Sequence, residues 1–239
     1  METYLPTLKE RLNSTTVSTI ETLQRKTFIT VMKSLELPKY SQALSVSCGT
    51  GFWDYLLFKE NKNIKKITAT DIVKCPINAE NINFLNRIGT WNYVRVEPEK
   101  KLPFRNSEFN LIFHNDVIEH VNKPFMFLSE QYRVLKKGGF LVFSTPNLFR
   151  PANLLKLLIG RLTFPLVIGH TKEIGDYIHI QEFNERQLDI MLQEIGFSRI
   201  KATHSFFGLS FMNINLSSNP KTKMGKTMCQ YLFFTAQKK

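Results

Sequence analysis

Two hydrophobic periods alternate along the chain. Residues 17–35, "VSTIETLQRKTFITVMKSL", carry apolar positions at helical spacing, with Ser14 or Thr15 as the capping residue and Pro38 as the stop. The short apolar run "ALSVS" (43–47) reads as a strand. It ends in a glycine turn, and a short helix from Phe52 to Glu60 follows. "KKITATD" (65–71) alternates and reads as a second strand. Pro76 then opens a helix running to Arg87. "WNYVRVE" (91–97) and "FNLIFHN" (109–115) are the third and fourth strands. A helix from Pro124 to Leu135 is stopped by "KKGG", and "FLVFSTP" (140–146) is the fifth strand. "NERQLDIMLQEIG" (184–196) is an amphipathic helix closed by Gly196. "SRIKATHSFF" (198–207) and "MCQYLFFTAQ" (228–237) complete the strands.

Strands alternating with helices predict an α/β fold: a mostly parallel sheet with helices on both faces. Such sheets bind ligands at the carboxyl ends of their strands, near the switch point beside the first strand. The unusual residues of this chain fall there. The glycine turn follows strand one, Asp71 ends strand two, Glu97 ends strand three, and His114, Asn115 and Asp116 end strand four.

Composition changes this picture little. The 239 residues are 43% hydrophobic and 22% charged, which fits one α/β domain. Within it, residues 1–40 form an N-terminal helical segment and residues 147–182 an insertion after strand five. The formal charge of +12 leaves three partners open: RNA, an anionic membrane touched peripherally, or an acidic small molecule. No run resembles an RNA-binding tail. Cys48, Cys75 and Cys229 have neither metal-ligand spacing nor the density of a disulfide framework, so a reducing cytoplasm is the expected compartment and no metal centre is expected. "METYLPTLKERLNSTT" contains no apolar signal core, and no apolar run reaches the roughly 20 residues of a membrane span.

The chemistry is read from "SCGTGFWD", residues 47–54. A dinucleotide fingerprint needs a third glycine where this chain has Asp54, and an acid there repels a pyrophosphate but tolerates a cation. Asp71, twenty residues after Gly51, is placed to accept hydrogen bonds from both hydroxyls of a ribose. A cationic adenosine without phosphate satisfies both: S-adenosylmethionine, with S-adenosylhomocysteine as product.

The same residues resemble the class I S-adenosylmethionine-dependent methyltransferases, in particular the group with a ubiquinone/menaquinone-biosynthesis-like domain. The resemblance covers residues 40–205. It rests on "LSVSCGTG", "TATDIV", "KKLPFRNSEFNLIFHNDVIEHV" and "VLKKGGFLVFSTPN". It implies a Rossmann-like seven-stranded sheet whose last strand runs antiparallel between strands five and six. It also implies a cofactor shell of Ser47, Gly49, Gly51, Asp54, Asp71, Ile72, Glu97, His114 and Asn115. Glu97, with Glu99 as its rival, takes the place near the adenine. Phe52 and Trp53 are candidates to flank the cofactor, with helix-core packing the expected role of one of them, and Glu119 and His120 organise the loop after strand four.

Two departures stand out. The family pattern D-x-G-C-G-T-G has serine here at positions 45 and 47, and the acid that usually follows Phe109 is Asn110. Ser45 and Asn110 keep open a non-catalytic reading, a cofactor-fold protein that binds a partner without turnover. Asp54 is a partial substitute for the missing acid. Similar methyltransferases of bacterial polysaccharide and lipid pathways carry a long segment after strand five, ending in H-x-x-x-[FY]. In this chain that element is "HIQEF", so His179 is the first choice for base or acceptor contact, with Tyr177 and His170 as alternatives. The predicted reaction is in-line methyl transfer to a small-molecule, lipid or glycan-precursor acceptor. RNA or protein methylation is the alternative, motivated by charge alone.

Overall fold

The computed structural model describes residues 8–13, 19–162, 179–209 and 214–239. Ser14, Thr15, His170 and Tyr177, and with them much of the expected insertion, lie outside the described residues. Helices α1 (Leu8–Asn13) and α2 (Thr19–Ser34) precede strand β1 (Ser41–Val46). Then follow α3 (Phe52–Glu60), β2 (Ile64–Asp71), α4 (Ala79–Asn86), β3 (Thr90–Arg95) and β4 (Phe109–Asn115). A single 3₁₀ turn, Ile118–His120, leads to α5 (Pro124–Val134), β5 (Leu135–Pro146) and α6 (Pro151–Leu158). The chain closes with α7 (Glu185–Ile195), β6 (Phe197–Ser205), β7 (Phe207–Leu209), β8 (Ile214–Ser217), α8 (Lys223–Thr227) and β9 (Tyr231–Lys238).

Seven strands form one sheet in the order β3-β2-β1-β4-β5-β9-β6. The β1, β2, β3, β4 and β5 pairings are parallel, and β9 is antiparallel to both β5 and β6. This is the expected Rossmann-like arrangement. The chain winds one way from β1 to β2 and the other way to β4, so the switch point opens between β1 and β4.

Burial on both faces explains the continuous apolar runs. In β9, Phe233 packs on one side with Phe28, Met32, Phe52, Leu57 and Phe113. Its neighbours Leu232 and Phe234 pack on the other side with Leu44, Ile112, Phe143, Leu188 and Leu192. Helix α7 carries a complete capping box: Asn184 accepts from the Gln187 N–H, and the Gln187 side chain accepts from the Asn184 N–H.

Three local expectations are corrected. Helix α4 starts at Ala79, not Pro76, because the Asn78 side chain accepts the Asn81 N–H and caps it there. "KKGG" belongs to β5, which begins at Leu135 directly after α5 and takes Gly138 at φ 75°. The strand expected over 198–207 ends at Ser205, and a small hairpin, β7 paired with β8, and helix α8 lie between it and the last strand, where no element was expected.

Candidate active site

The turn after β1 is built for close approach. Ser47, Gly49 and Gly51 all have left-handed backbone, at φ 57°, 49° and 74°. A Cβ on Gly49 would meet nothing within 4 Å, so this face of the turn is open. A Cβ on Gly51 would lie 2.6 Å from Ile77 Cδ1, so that glycine is needed for packing. Asp71, at the end of β2, ties the turn down: its Oδ2 accepts the Gly49 N–H at 3.2 Å, and its Oδ1 accepts the Ile72 N–H at 2.8 Å. Burial raises the Asp71 carboxyl above its ordinary value, and the backbone N–H groups of Gly49, Ile72 and Val73 oppose the rise. Cys48 is no nucleophile, because burial first, with Asp54 and Asp71 nearby, pushes its thiol far up.

Asp54 lies in the interior. It is completely buried, its Oδ1 accepting from Ser45 Oγ and its Oδ2 from Trp91 Nε1, both at 2.6 Å. Both oxygens are engaged within the protein, and burial pushes the carboxyl up to about 6. An acid therefore does stand against Ser45, where the family pattern carries one on the strand, but it presents no surface to a ligand. Glu97 lies at the opposite extreme. It is solvent-exposed and paired with Lys100, whose ammonium holds its carboxyl below the usual range. Glu99 is paired with Lys123 at 3.8 Å.

At the end of β4, His114 is buried, stacked on Phe143 at 5.0 Å and edge-on to Phe127 at 5.2 Å. Burial drives its imidazole down to about 3, so it is neutral at physiological pH. Asn115 Oδ1 accepts from Ser144 Oγ at 2.9 Å, while its Nδ2 has no partner among the described residues. Asp116 turns the chain at φ 55°. One carboxylate oxygen accepts from Gln24 Nε2 at 3.1 Å, the other has no partner among the described residues, and burial raises the group to about 6.

His179 joins this region through Glu182, a residue that motif reading missed. Buried Glu182 accepts from Arg150 Nη2 at 2.5 Å and Asn153 Nδ2 at 2.6 Å, and its Oε1 lies 2.7 Å from His179 Nδ1. The contacts that the N-terminal helices make with the site were missed as well. The Arg11 and Arg25 guanidinium groups lie over the Phe52 ring at 4.8 and 4.2 Å, Arg11 reaches Thr50, and Gln24 reaches Asp116. Helices α1 and α2 thus cover the edge of the glycine turn and the β4 end. Trp53 packs on Phe28 at 5.0 Å.

The open Gly49 face, the Asp71 carboxylate beside it and the unpartnered Asn115 and Asp116 atoms at the switch point suit an adenosine with a cationic tail. Residues 44–143 match a methyltransferase-domain family. A demethylmenaquinone methyltransferase of Staphylococcus aureus is 26% identical over 205 residues, covering 81% of this chain and 83% of its own. Among solved structures, a SAM-dependent methyltransferase from Archaeoglobus fulgidus aligns with a TM-score of 0.60 at 17% identity, covering 96% of this chain and 97% of its own. A cyclase aligns with a TM-score of 0.62 at 16% identity, covering 95% and 85%. The structural likenesses establish the fold, and the cyclase shows that this fold hosts other reactions.

Proposed function

We propose that this chain, whose residues 44–143 match a methyltransferase-domain family, is a class I S-adenosylmethionine-dependent methyltransferase acting on a small amphiphilic acceptor whose apolar part rests on α6. The observation that carries this reading is a row of exposed apolar side chains directly after β5: Phe149, Leu155, Leu157, Leu158 and Ile159, with Leu158 83% exposed. Burying one such side chain is worth about 1.5–3 kcal/mol, so several together can hold a lipid-like tail. Lys156 and Arg161 are exposed in the same stretch and suit an anionic headgroup or membrane surface. The curated relative supports the class of acceptor, since its name gives demethylmenaquinone as the molecule methylated.

The cofactor supplies an activated methyl on a sulfonium. The protein's task is alignment and exclusion of water. Gly49 lets the backbone approach, and Asp71 accepts hydrogen bonds from the ribose hydroxyls. Asn115 and Asp116 hold the polar atoms nearest the switch point, while neutral His114 closes the wall behind them. The arginine-topped Phe52 and helices α1 and α2 shield the turn from solvent. A hydroxyl acceptor must lose a proton. This reading gives that proton to His179, whose ring Glu182 orients.

The test is methyl transfer from tritium-labelled S-adenosylmethionine to prenylated or long-chain hydroxylated aromatics, with total RNA in parallel. Label in the organic phase, reduced by Leu155→Glu together with Leu158→Glu at unchanged cofactor affinity, is the expected result. Label in RNA with a steep salt dependence would replace this reading with the one its charge of +12 motivates.

A further inference from the structure

The 3₁₀ turn after β4 carries Glu119 and His120 side by side. The segment returning from α6 docks on it: the Ile180 and Gln181 N–H groups donate to the Glu119 carbonyl at 2.9 and 3.2 Å. Gln181 Nε2 also reaches the Val121 carbonyl. This docking sets the His179 ring edge-on to His120, centroids 5.0 Å apart. One ligand atom from each of Glu119, His120 and His179 then lies within 4.8 Å of the others.

The Glu119 carboxylate is completely buried. Its Oε2 accepts from Thr145 Oγ1 at 3.0 Å, and its Oε1 has no partner among the described residues. A buried carboxylate with one bare oxygen is costly. A cation between Glu119 Oε1 and the two imidazoles would relieve this. The hydrogen bond from His179 to a buried carboxylate is also the outer support that metal-binding histidines use to fix their orientation.

We propose that Glu119, His120 and His179 bind a divalent transition-metal ion, with zinc as the reference case. Two imidazoles and one carboxylate favour zinc, manganese or ferrous iron over calcium or magnesium. Zinc bonds of about 2.0–2.2 Å place neighbouring ligand atoms about 3.4 Å apart, so the three groups must close inward by about an ångström. Both imidazoles are only half-buried, His179 lies outside helix and strand and His120 is the last residue of the 3₁₀ turn, which makes that movement inexpensive. Three protein ligands leave a coordination position for an outside oxygen. Resting on the methyltransferase reading, that oxygen is the acceptor's. Its proton would then pass to solvent water because the cation lowers its pKa, not to His179, and turnover would require metal.

The experiment is titration of the tag-free, chelator-treated chain with zinc by calorimetry and with cobalt by visible absorption, without cofactor or acceptor. One ion per chain with micromolar or tighter affinity is expected, with the intense cobalt bands of a low coordination number. His179→Ala and His120→Ala should each weaken binding at least about tenfold, Glu119→Gln likewise, while His204→Ala leaves it unchanged. Both histidines are partly exposed, so folding of these variants is checked by circular dichroism and by retained S-adenosylmethionine binding. No saturable site, or ligand variants that bind zinc like the parent chain, would overturn the proposal. Neither result touches cofactor binding, so the methyltransferase reading stands or falls separately.

Discussion

Asp54→Asn is expected to stabilise the protein at neutral pH and to leave cofactor affinity alone. The carboxyl rises from 3.8 to about 6 in the folded chain because it is fully buried, and hydrogen bonds from Ser45 and Trp91 only partly offset that cost. The ionised form is thus disfavoured by about 3 kcal/mol. A raised folded value means that the folded state holds a proton the unfolded chain has released, so stability falls as pH climbs through the window from 3.8 to about 6. Asparagine resembles the protonated acid. Its oxygen can accept from Trp91 Nε1, and its NH₂ can donate to Ser45 Oγ once that hydroxyl turns. The gain from the substitution should grow from about 2 kcal/mol near pH 5 to about 3 kcal/mol near pH 8. Urea unfolding followed by circular dichroism across that range measures it, and calorimetry with S-adenosylmethionine should give a dissociation constant within about threefold of the parent. A variant less stable than the parent at pH 8 would refute the buried-acid argument. A tenfold loss of cofactor affinity would restore Asp54 to the cofactor shell.

Ser47 has left-handed backbone at φ 57° and an exposed side chain, so Ser47→Gly should stabilise by about 0.5–1 kcal/mol, seen as a higher melting temperature. Gly51→Ala forces a Cβ to 2.6 Å from Ile77 Cδ1 at φ 74°, and should cost about 2 kcal/mol in the same melt. Glu182→Ala strips the acceptor from Arg150, Asn153 and His179 at once. It should cost about 3 kcal/mol, and a melt indistinguishable from the parent's would show that this network is dispensable.

The sheet was legible because burial on both faces leaves short, mostly apolar runs for the strands, burial of one face gives helices a period of 3.6, and turn residues mark their ends. The glycine turn and Asp71 were legible for the same reason: a strand, a turn and an acid at fixed spacing are local patterns. Glu182, Gln24 and Arg11 were not. Gln24 and Arg11 meet the site through residues far apart in the chain, and Glu182, although inside "HIQEF", takes Arg150 and Asn153 from 32 and 29 residues away. Asp54 shows the opposite difficulty. Its position in the motif pointed to a ligand, yet the partner that decides its role, Trp91, is 37 residues away. The grouping of Glu119 and His120 with His179 was hidden likewise, since only the docking of residues 179–181 on the 3₁₀ turn brings them together. The hairpin at β7 and β8 carried no pattern strong enough to read, because its exposed positions are not alternately buried.

Binding of S-adenosylmethionine at the Gly49–Asp71 edge tests the account most directly. Calorimetric titration of the parent chain should give one site in the micromolar range. Asp71→Ala removes the acceptor of the Gly49 N–H and, on the proposed reading, of two ribose hydroxyls, and should weaken it about thirtyfold or more, roughly 2 kcal/mol. A well-folded parent chain that binds neither S-adenosylmethionine nor S-adenosylhomocysteine, or an Asp71→Ala variant that binds as tightly as the parent, would contradict it.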